Sequence, residues 1–233
     1  MMKLIHGDCL EVLCSLGEVK CIFMDPPDNI KLAYDVYDDD NPNYMRWLCD
    51  VVWLACCRAD IVWVSLDAIH DFDFCRRINM QPGWEFRRLV WYFTFGQYRS
   101  TDFAHNYRPL IRLMKKGCVI HPERILVESE RMRIGDARAA GPRVPGDVWD
   151  FPRIVGNSKE RQTWHPTQHP VALYDRVIKF SCSDGDDFVD LFAGSGTCFR
   201  AALLNPAVNV LGIEQSKNYC DHLVTNNPGV ILC

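Results

Sequence analysis

The chain has 233 residues, enough for one compact domain with a full core and too few for two large ones. Apolar residues make up 48% and charged residues 24%, which excludes a disordered or low-complexity chain; no apolar run reaches membrane-spanning length. The formal charge of −4 argues against a uniformly basic surface, yet residues 96–161 hold 13 Lys and Arg against 8 Asp and Glu, a local excess of +5. That split is expected of one basic segment facing phosphates on an otherwise acidic body. The opening MMKLIHGDCL has no signal-peptide pattern, so a cytoplasmic location is expected. Twelve cysteines include no C-x-x-C pair, so free thiols are expected and no metal is implied.

In chain order, residues 3–6 read as a short strand and 9–15 as a helix. Residues 19–24 (VKCIFM) form a buried strand that must stop at Asp25-Pro26-Pro27, because two prolines cannot continue a central ladder. Helical spacing over 43–57 puts Trp47, Val51 and Leu54 on one face. Strands follow at 61–65, 89–95 and 110–114. Between about 115 and 163 the pattern fails, and a stretch this long in a compact domain is usually functional. Regular structure returns with a helix at 171–181, a strand at 187–192, a helix at 197–204 and a strand at 208–213. Strands alternating with helices define an α/β fold whose mostly parallel sheet is covered on both faces. The expected organisation is a single domain over 1–233 with a short basic segment, 115–163, inserted in it.

Two constellations carry chemistry. In the first, a strand ends at Asp190, a turn with Gly194 and Gly196 follows, a helix starts at Thr197, and a second strand ends at Glu214. The glycines allow a sharp turn and close approach of a ligand, and a carboxylate about 20 residues on is placed for ribose hydroxyls. The third glycine of a dinucleotide fingerprint is missing. An acid before the glycines suits a cofactor with a cationic amino-acid end, which favours S-adenosylmethionine over NAD. The second constellation is Asp25-Pro26-Pro27-Asp28. An exocyclic base amine is a poor nucleophile because its lone pair is delocalised into the ring. The Asp25 carboxylate and the Pro26 carbonyl could accept its two N–H groups, with the prolines stiffening the loop.

These residues resemble the beta-class DNA amino-methyltransferases, in which the catalytic tetrapeptide precedes the glycine motif. HGDCLEVL at 6–13, MDPPDNI at 24–30, WHPTQHPVALYDRVI at 164–178, DLFAGSGT at 190–197 and GIEQSKNY at 212–219 carry the likeness. The resemblance implies a Rossmann-like methyltransferase fold with circularly permuted motif order. It implies methyl transfer from S-adenosylmethionine to a flipped base in DNA, adenine N6 rather than cytosine N4 because the loop begins with Asp. It places Asp25, Pro26, Pro27 and Asp28 in the catalytic loop. Asp8, His165, Thr167, Asp190, Phe192, Gly194, Gly196, Thr197 and Glu214 fall at the cofactor. The basic segment would grip DNA through Arg124, Arg131, Arg133, Arg138, Arg143 and Arg153, and its shortness admits a homodimer that completes the grip. Methylation of RNA or of a protein amide, and cofactor and DNA binding without catalysis, are the competing readings.

The sequence departs from the family twice. Asp28 stands where an aromatic residue usually stacks on the base, leaving Tyr34, Tyr37, Trp91 and Phe95 as candidate replacements, or Asp28 itself on a base edge. His169 stands where Lys is common.

Overall fold

The computed structural model describes residues 1–78, 82–97 and 100–233, without the side chains of 95–97. Among the described residues, nine strands form one sheet: β1 (Met2–His6), β2 (Val19–Met24), β3 (Ala59–Ser65), β4 (Trp84–Gln97), β5 (His105–Lys115), β6 (Val148–Asp150), β7 (Asp187–Asp190), β8 (Asn209–Glu214) and β9 (Val230–Leu232). Their order is β6-β4-β5-β3-β2-β7-β8-β1-β9, and both antiparallel pairings involve β5. The helices are α1 (Cys9–Ser15), α2 (Tyr44–Arg58), α3 (Asp71–Arg77), α4 (Glu130–Arg133), α5 (Val171–Ser181), α6 (Thr197–Leu204) and α7 (Lys217–Asn226).

Strand alternation explains how both faces are covered. Cys21, Phe23, Ile61, Trp63 and Phe188 point into a core shared with α5, α6 and α7. Ile22, Met24, Val62, Val64 and Val189 point the other way, against α1, α2 and α3. With side chains of both faces removed from water, the central strands read as continuous apolar runs. The α2 stripe is rotated from its expected position: Tyr44, Leu48, Val51, Val52 and Ala55 are buried, whereas Trp47 and Leu54 are only half-buried. Trp47 instead reaches toward the end of the sheet, where the site lies.

The strand expected over 187–192 ends at Asp190, because Leu191 to Gly196 already form the turn. The segment 115–163 is less irregular than expected. A 3-10 turn occupies Pro122–Ile125, Val127 pairs with Arg143, and β6 joins the sheet edge parallel to β4. Trp149, Phe151 and Ile154 are buried, and Arg176 of α5 lies over both rings at 5.1 and 4.4 Å. Its last third is thus part of the core.

β2 and β7 pair in the middle of the sheet, with Phe23 opposite Asp190. From β2 the chain moves toward β3 on one side, and from β7 toward β8 on the other. This reversal is the topological switch point at which open α/β sheets bind ligands, beyond the carboxyl ends of the strands.

Candidate active site

A cavity of about 370 Å³ opens at that switch point, a size typical of small-molecule sites. The carboxyl ends of five strands feed it. β1 delivers Gly7 and Asp8, β2 delivers Asp25, β7 the glycine turn, β8 Glu214, and β3 ends at Ser65 directly behind. Two segments far apart in sequence, the Asp-Pro-Pro-Asp loop and the glycine turn, become neighbours because β2 and β7 are neighbours.

At one end lie the carboxylates. Asp8 caps α1 through its Oδ1, which accepts from the Leu10 and Glu11 amides at 2.8 and 3.3 Å. Glu214 accepts from the Gly194 amide at 3.0 Å and from the Ser216 amide at 2.8 Å. Burial pushes the Glu214 carboxyl up, and the amides of Ser216, Gly194 and Gln215 pull it back only in part. Gly194 and Gly196 both have positive φ, +44° and +78°. A Cβ on Gly194 would sit 3.0 Å from His165 Nε2, and one on Gly196 would sit 2.5 Å from Leu223 Cδ2. His165 contacts the Thr167 carbonyl at 2.6 Å, so Nδ1 carries the proton and bare Nε2 faces the glycine turn. Burial lowers its pKa despite that carbonyl. Phe192 and Trp47 meet edge-on at 6.1 Å and supply an apolar wall.

Asp190 lies beneath the turn and does not line the cavity. Its Oδ1 accepts from the Phe192 amide at 3.1 Å, while fully buried Oδ2 has no hydrogen-bond partner. Burial pushes its pKa up to about 7, against the Phe192 amide and the nearby Tyr174 hydroxyl and Cys198 thiol. Thr197, by contrast, lines the cavity and donates to the His169 carbonyl at 3.1 Å.

At the other end, Asp25 is held on both oxygens. Its Oδ2 is 2.8 Å from His169 Nδ1 and its Oδ1 is 3.1 Å from an Arg108 nitrogen. Burial alone would raise the Asp25 carboxyl. The positive charges of His169 and Arg108, with hydrogen bonds from His169 and Ser65, bring it below the usual aspartate range. Asp28 does not face a ligand edge-on. It is 5% exposed and turned inward, where Arg108 grips it with two nitrogens at 2.7 and 2.8 Å and the Asp67 amide adds a third contact at 3.1 Å. His70 Nε2 donates to its carbonyl at 2.6 Å. Asp28 borders the cavity, and its carboxylate is held by Arg108.

The next turn carries two non-glycine residues at positive φ, Asn29 at 54° and Lys31 at 64°. Such residues persist where surroundings over-determine them. Here buried Asp39 accepts from the amides of Asn29, Ile30 and Leu32 at 2.7 to 3.0 Å. The loop is therefore rigid for more reasons than its prolines.

Tyr34, Tyr37 and Trp91 all line the cavity, whereas the side chain of Phe95 lies outside the described residues. Arg153 also lines it, half-buried with its guanidinium 5.0 Å above Phe93. The other arginines are elsewhere. Arg124 bonds to the Cys182 carbonyl near Asp184, at the opposite end of β7. Arg131 and Arg138 face Asp136, Arg133 faces Glu130, and Arg143 is exposed beside the Val127 bridge. Arg108 contributes to the count of basic residues but is neutralised inside the site. The sequence reading missed Arg108, Ser65, His70, Asp39 and Trp47. Arg108 stands just before the apolar run at Leu110 in a strand that also carries Arg112 and Lys115, so no local pattern singles it out.

A doubly wound sheet with a glycine turn, two half-buried carboxylates at one end of its cavity and an oriented carboxylate at the other has the layout of an α/β enzyme site. The model of a family described as DNA methylase, covering adenine-N6 and cytosine-N4 enzymes, matches residues 19–225. The DNA adenine methyltransferase YhdJ of Escherichia coli strain K12 is 32% identical over 93% of this chain and 79% of its own length. The type II methyltransferase M.HpaI of Haemophilus parainfluenzae is 27% identical over 94% and 72%. Among solved structures, M1.HpyAVI in complex with SAM has a TM-score of 0.63 at 19% identity, covering 97% of this chain and all of that one. The cytosine-N4-specific PvuII DNA methyltransferase has a TM-score of 0.69 at 15% identity, covering 94% and 84%. These structural likenesses show a shared fold. The chain belongs to the N6/N4 DNA methylase family, the S-adenosylmethionine-dependent DNA methyltransferases that act on an exocyclic base amine.

Proposed function

We propose that the protein methylates adenine N6 in DNA, with Asp25 and Pro26 orienting the amine of a flipped base. The observation that carries this reading is an Asp25 carboxylate kept ionised and oriented on the cavity wall, beside a loop opened by two prolines that bring no competing N–H. The 32% identity to an enzyme named as a DNA adenine methyltransferase favours adenine over cytosine.

The residues present fit S-adenosylmethionine. Gly194 leaves a cradle that a Cβ would fill, Asp8 and Glu214 offer acceptors for hydroxyl or amine groups, and Phe192 with Trp47 offers an apolar wall for a base. Asp190 Oδ2 is an unpaired acceptor below the turn, suited to a cation. When bound, the cofactor supplies an activated methyl group. The protein's part is to hold and orient. Asp25 and the Pro26 carbonyl accept the two N–H groups of the target amine, favouring a pyramidal nitrogen with its lone pair available. Fixing that nitrogen in line supplies much of the rate. As the nitrogen becomes cationic, an Asp25 oxygen is the nearest acceptor for its proton.

Trp91 and Tyr34 take over the stacking role left open by Asp28, and Arg153 at the cavity holds the phosphates beside the flipped nucleotide. The stretch from 115 to 147 serves as the recognition segment, with a second copy of the chain extending the grip. Nucleoside mass spectrometry of mixed-sequence DNA treated with protein and S-adenosylmethionine tests the assignment. N6-methyladenine that disappears with Asp25→Ala is expected; N4-methylcytosine, or no product on DNA, refutes it.

A further inference from the structure

Four side chains close a ring behind the catalytic loop. Arg108 Nε donates to Ser65 Oγ at 3.2 Å, Ser65 Oγ lies 2.9 Å from His169 Nε2, His169 Nδ1 lies 2.8 Å from Asp25 Oδ2, and Arg108 returns to Asp25 Oδ1 at 3.1 Å. Guanidinium nitrogens only donate, so the Ser65 oxygen accepts from Arg108 Nε. The His169 ring, set against the Ser65 hydroxyl on one side, aims Nδ1–H at Asp25 on the other, so each contact constrains the orientation of the next. Asp28 stands outside it and faces the remaining donors of the same guanidinium.

Ser65 and Arg108 are brought together by the sheet. β3 ends at Ser65, opposite Leu110 of β5, and Arg108 stands two residues beyond, where β5 continues past the end of its neighbour. Trp91 is the register partner of Arg108 on β4. One strand pair thus delivers both an aromatic wall and a buried cation to the loop.

We propose that Arg108 is a positioning residue for the reaction: it fixes the rotamer of the Asp25 carboxylate that receives the amine, and Asp28 is the counter-charge that allows a guanidinium to be buried there. This rests on the reading of Asp25 given above. It also accounts for the departure at position 28, where an acid replaces the family's aromatic because Arg108 needs a second carboxylate. Three carboxylate contacts and one hydroxyl contact on one guanidinium are more than charge neutrality requires, and the fork geometry matches a bidentate partner.

The test is a set of variants of the full chain: Arg108→Gln, Arg108→Lys, Asp28→Asn, the double variant R108Q/D28N, and Asp25→Asn as control. Arg108→Gln alone leaves two buried carboxylates facing each other and can fail to fold. The double variant removes one charge of each sign and keeps the buried balance. It should bind DNA and S-adenosylmethionine within about threefold of wild type while kcat falls on the order of 100-fold, the cost of a misplaced reacting group. Its acid limb of kcat should move to higher pH, because the Arg108 cation in direct contact with Asp25 outweighs the Asp28 anion lost with it. Asp28→Asn should move that limb to lower pH, because Asp25 has lost a neighbouring anion, with a kcat loss about tenfold or less. Arg108→Lys keeps the charge without the fork and should recover the pH limb but not kcat. Recovery of wild-type kcat by the double variant would show Arg108 to be only a partner for Asp28 and would overturn the proposal. So would pH limbs that move together in R108Q/D28N and Asp28→Asn. Full activity in Asp25→Asn would instead sink the role of Asp25 itself, a separate failure.

Discussion

Asp190→Asn isolates one buried charge beneath the glycine turn. The substitution keeps the shape and the acceptor for the Phe192 amide, and removes only the ability to ionise. In the folded chain, burial raises the Asp190 pKa from 3.8 to about 7. The folded state therefore holds a proton that the unfolded state releases near pH 4. Stability from this group is complete below pH 4 and is lost progressively until pH 7, where the folded group also ionises. At 1.36 kcal/mol per unit, the shift amounts to about 4 kcal/mol, undiminished by solvent because the side chain is fully buried. Urea unfolding of both proteins between pH 5 and 8 reads the difference directly, since all other groups cancel. The stability of wild type relative to Asp190→Asn should fall by about 2–3 kcal/mol over that range. Cofactor affinity of the wild type should rise with pH through 7 if a cationic end of the ligand answers Oδ2, and that of the variant should not. A stability difference that stays flat from pH 5 to 8 would refute the argument, because it would mean the carboxylate is already ionised and satisfied.

The two glycines of the turn should fail differently. Gly196→Ala forces a side chain at φ +78° with Leu223 Cδ2 at 2.5 Å, and left-handed backbone plus overpacking should cost about 2–4 kcal/mol in denaturant titration. Gly194→Ala instead presses on the His165 ring, 3.0 Å away, so its main effect should be weaker S-adenosylmethionine binding by calorimetry, with a smaller loss of stability. For DNA, Arg153→Ala should weaken binding and reduce the slope of log affinity against log salt by about 1. Arg138→Ala should change neither, because Arg138 is already paired with Asp136 at 2.9 Å; equal salt slopes in the two variants would refute the placement of Arg153 against phosphate.

What was legible in the sequence follows from the range over which each signal acts. VKCIFM and IVWVS announce buried strands because both faces of the central sheet are covered, and this is visible within six residues. Asp25 and the glycine turn were legible as separate motifs; their adjacency depends on β2 pairing with β7, which no local pattern encodes. β6 escaped because three residues, VWD, are too few to show alternation, and its place at the edge is set by Trp149 and Phe151 packing under Arg176. The roles of individual arginines in and around the basic segment were not legible for a related reason. A count of charges cannot tell an arginine that faces solvent from Arg108, which is folded against Asp25 and Asp28, or from Arg124, which is tied to the far end of β7.

Position 28 shows why a departure from a motif needs its spatial partner before it can be interpreted. Taken in sequence, DPPD is a damaged DPPY: the ring that would stack on a base is gone and a charge has arrived. A lone buried carboxylate in that place would be costly enough to argue for a lost activity. In the fold, that carboxylate meets Arg108 from another strand, and the same guanidinium reaches Asp25 and Ser65. The acid and the arginine therefore change meaning together. Introducing an aromatic by Asp28→Tyr alone would strand Arg108 against a single carboxylate and crowd it with a ring, so the family-typical residue is the disruptive one here. The unit under constraint is not the tetrapeptide but the tetrapeptide with β5, and only the sheet order, which sets β5 beside β3 and β3 beside β2, makes that unit visible.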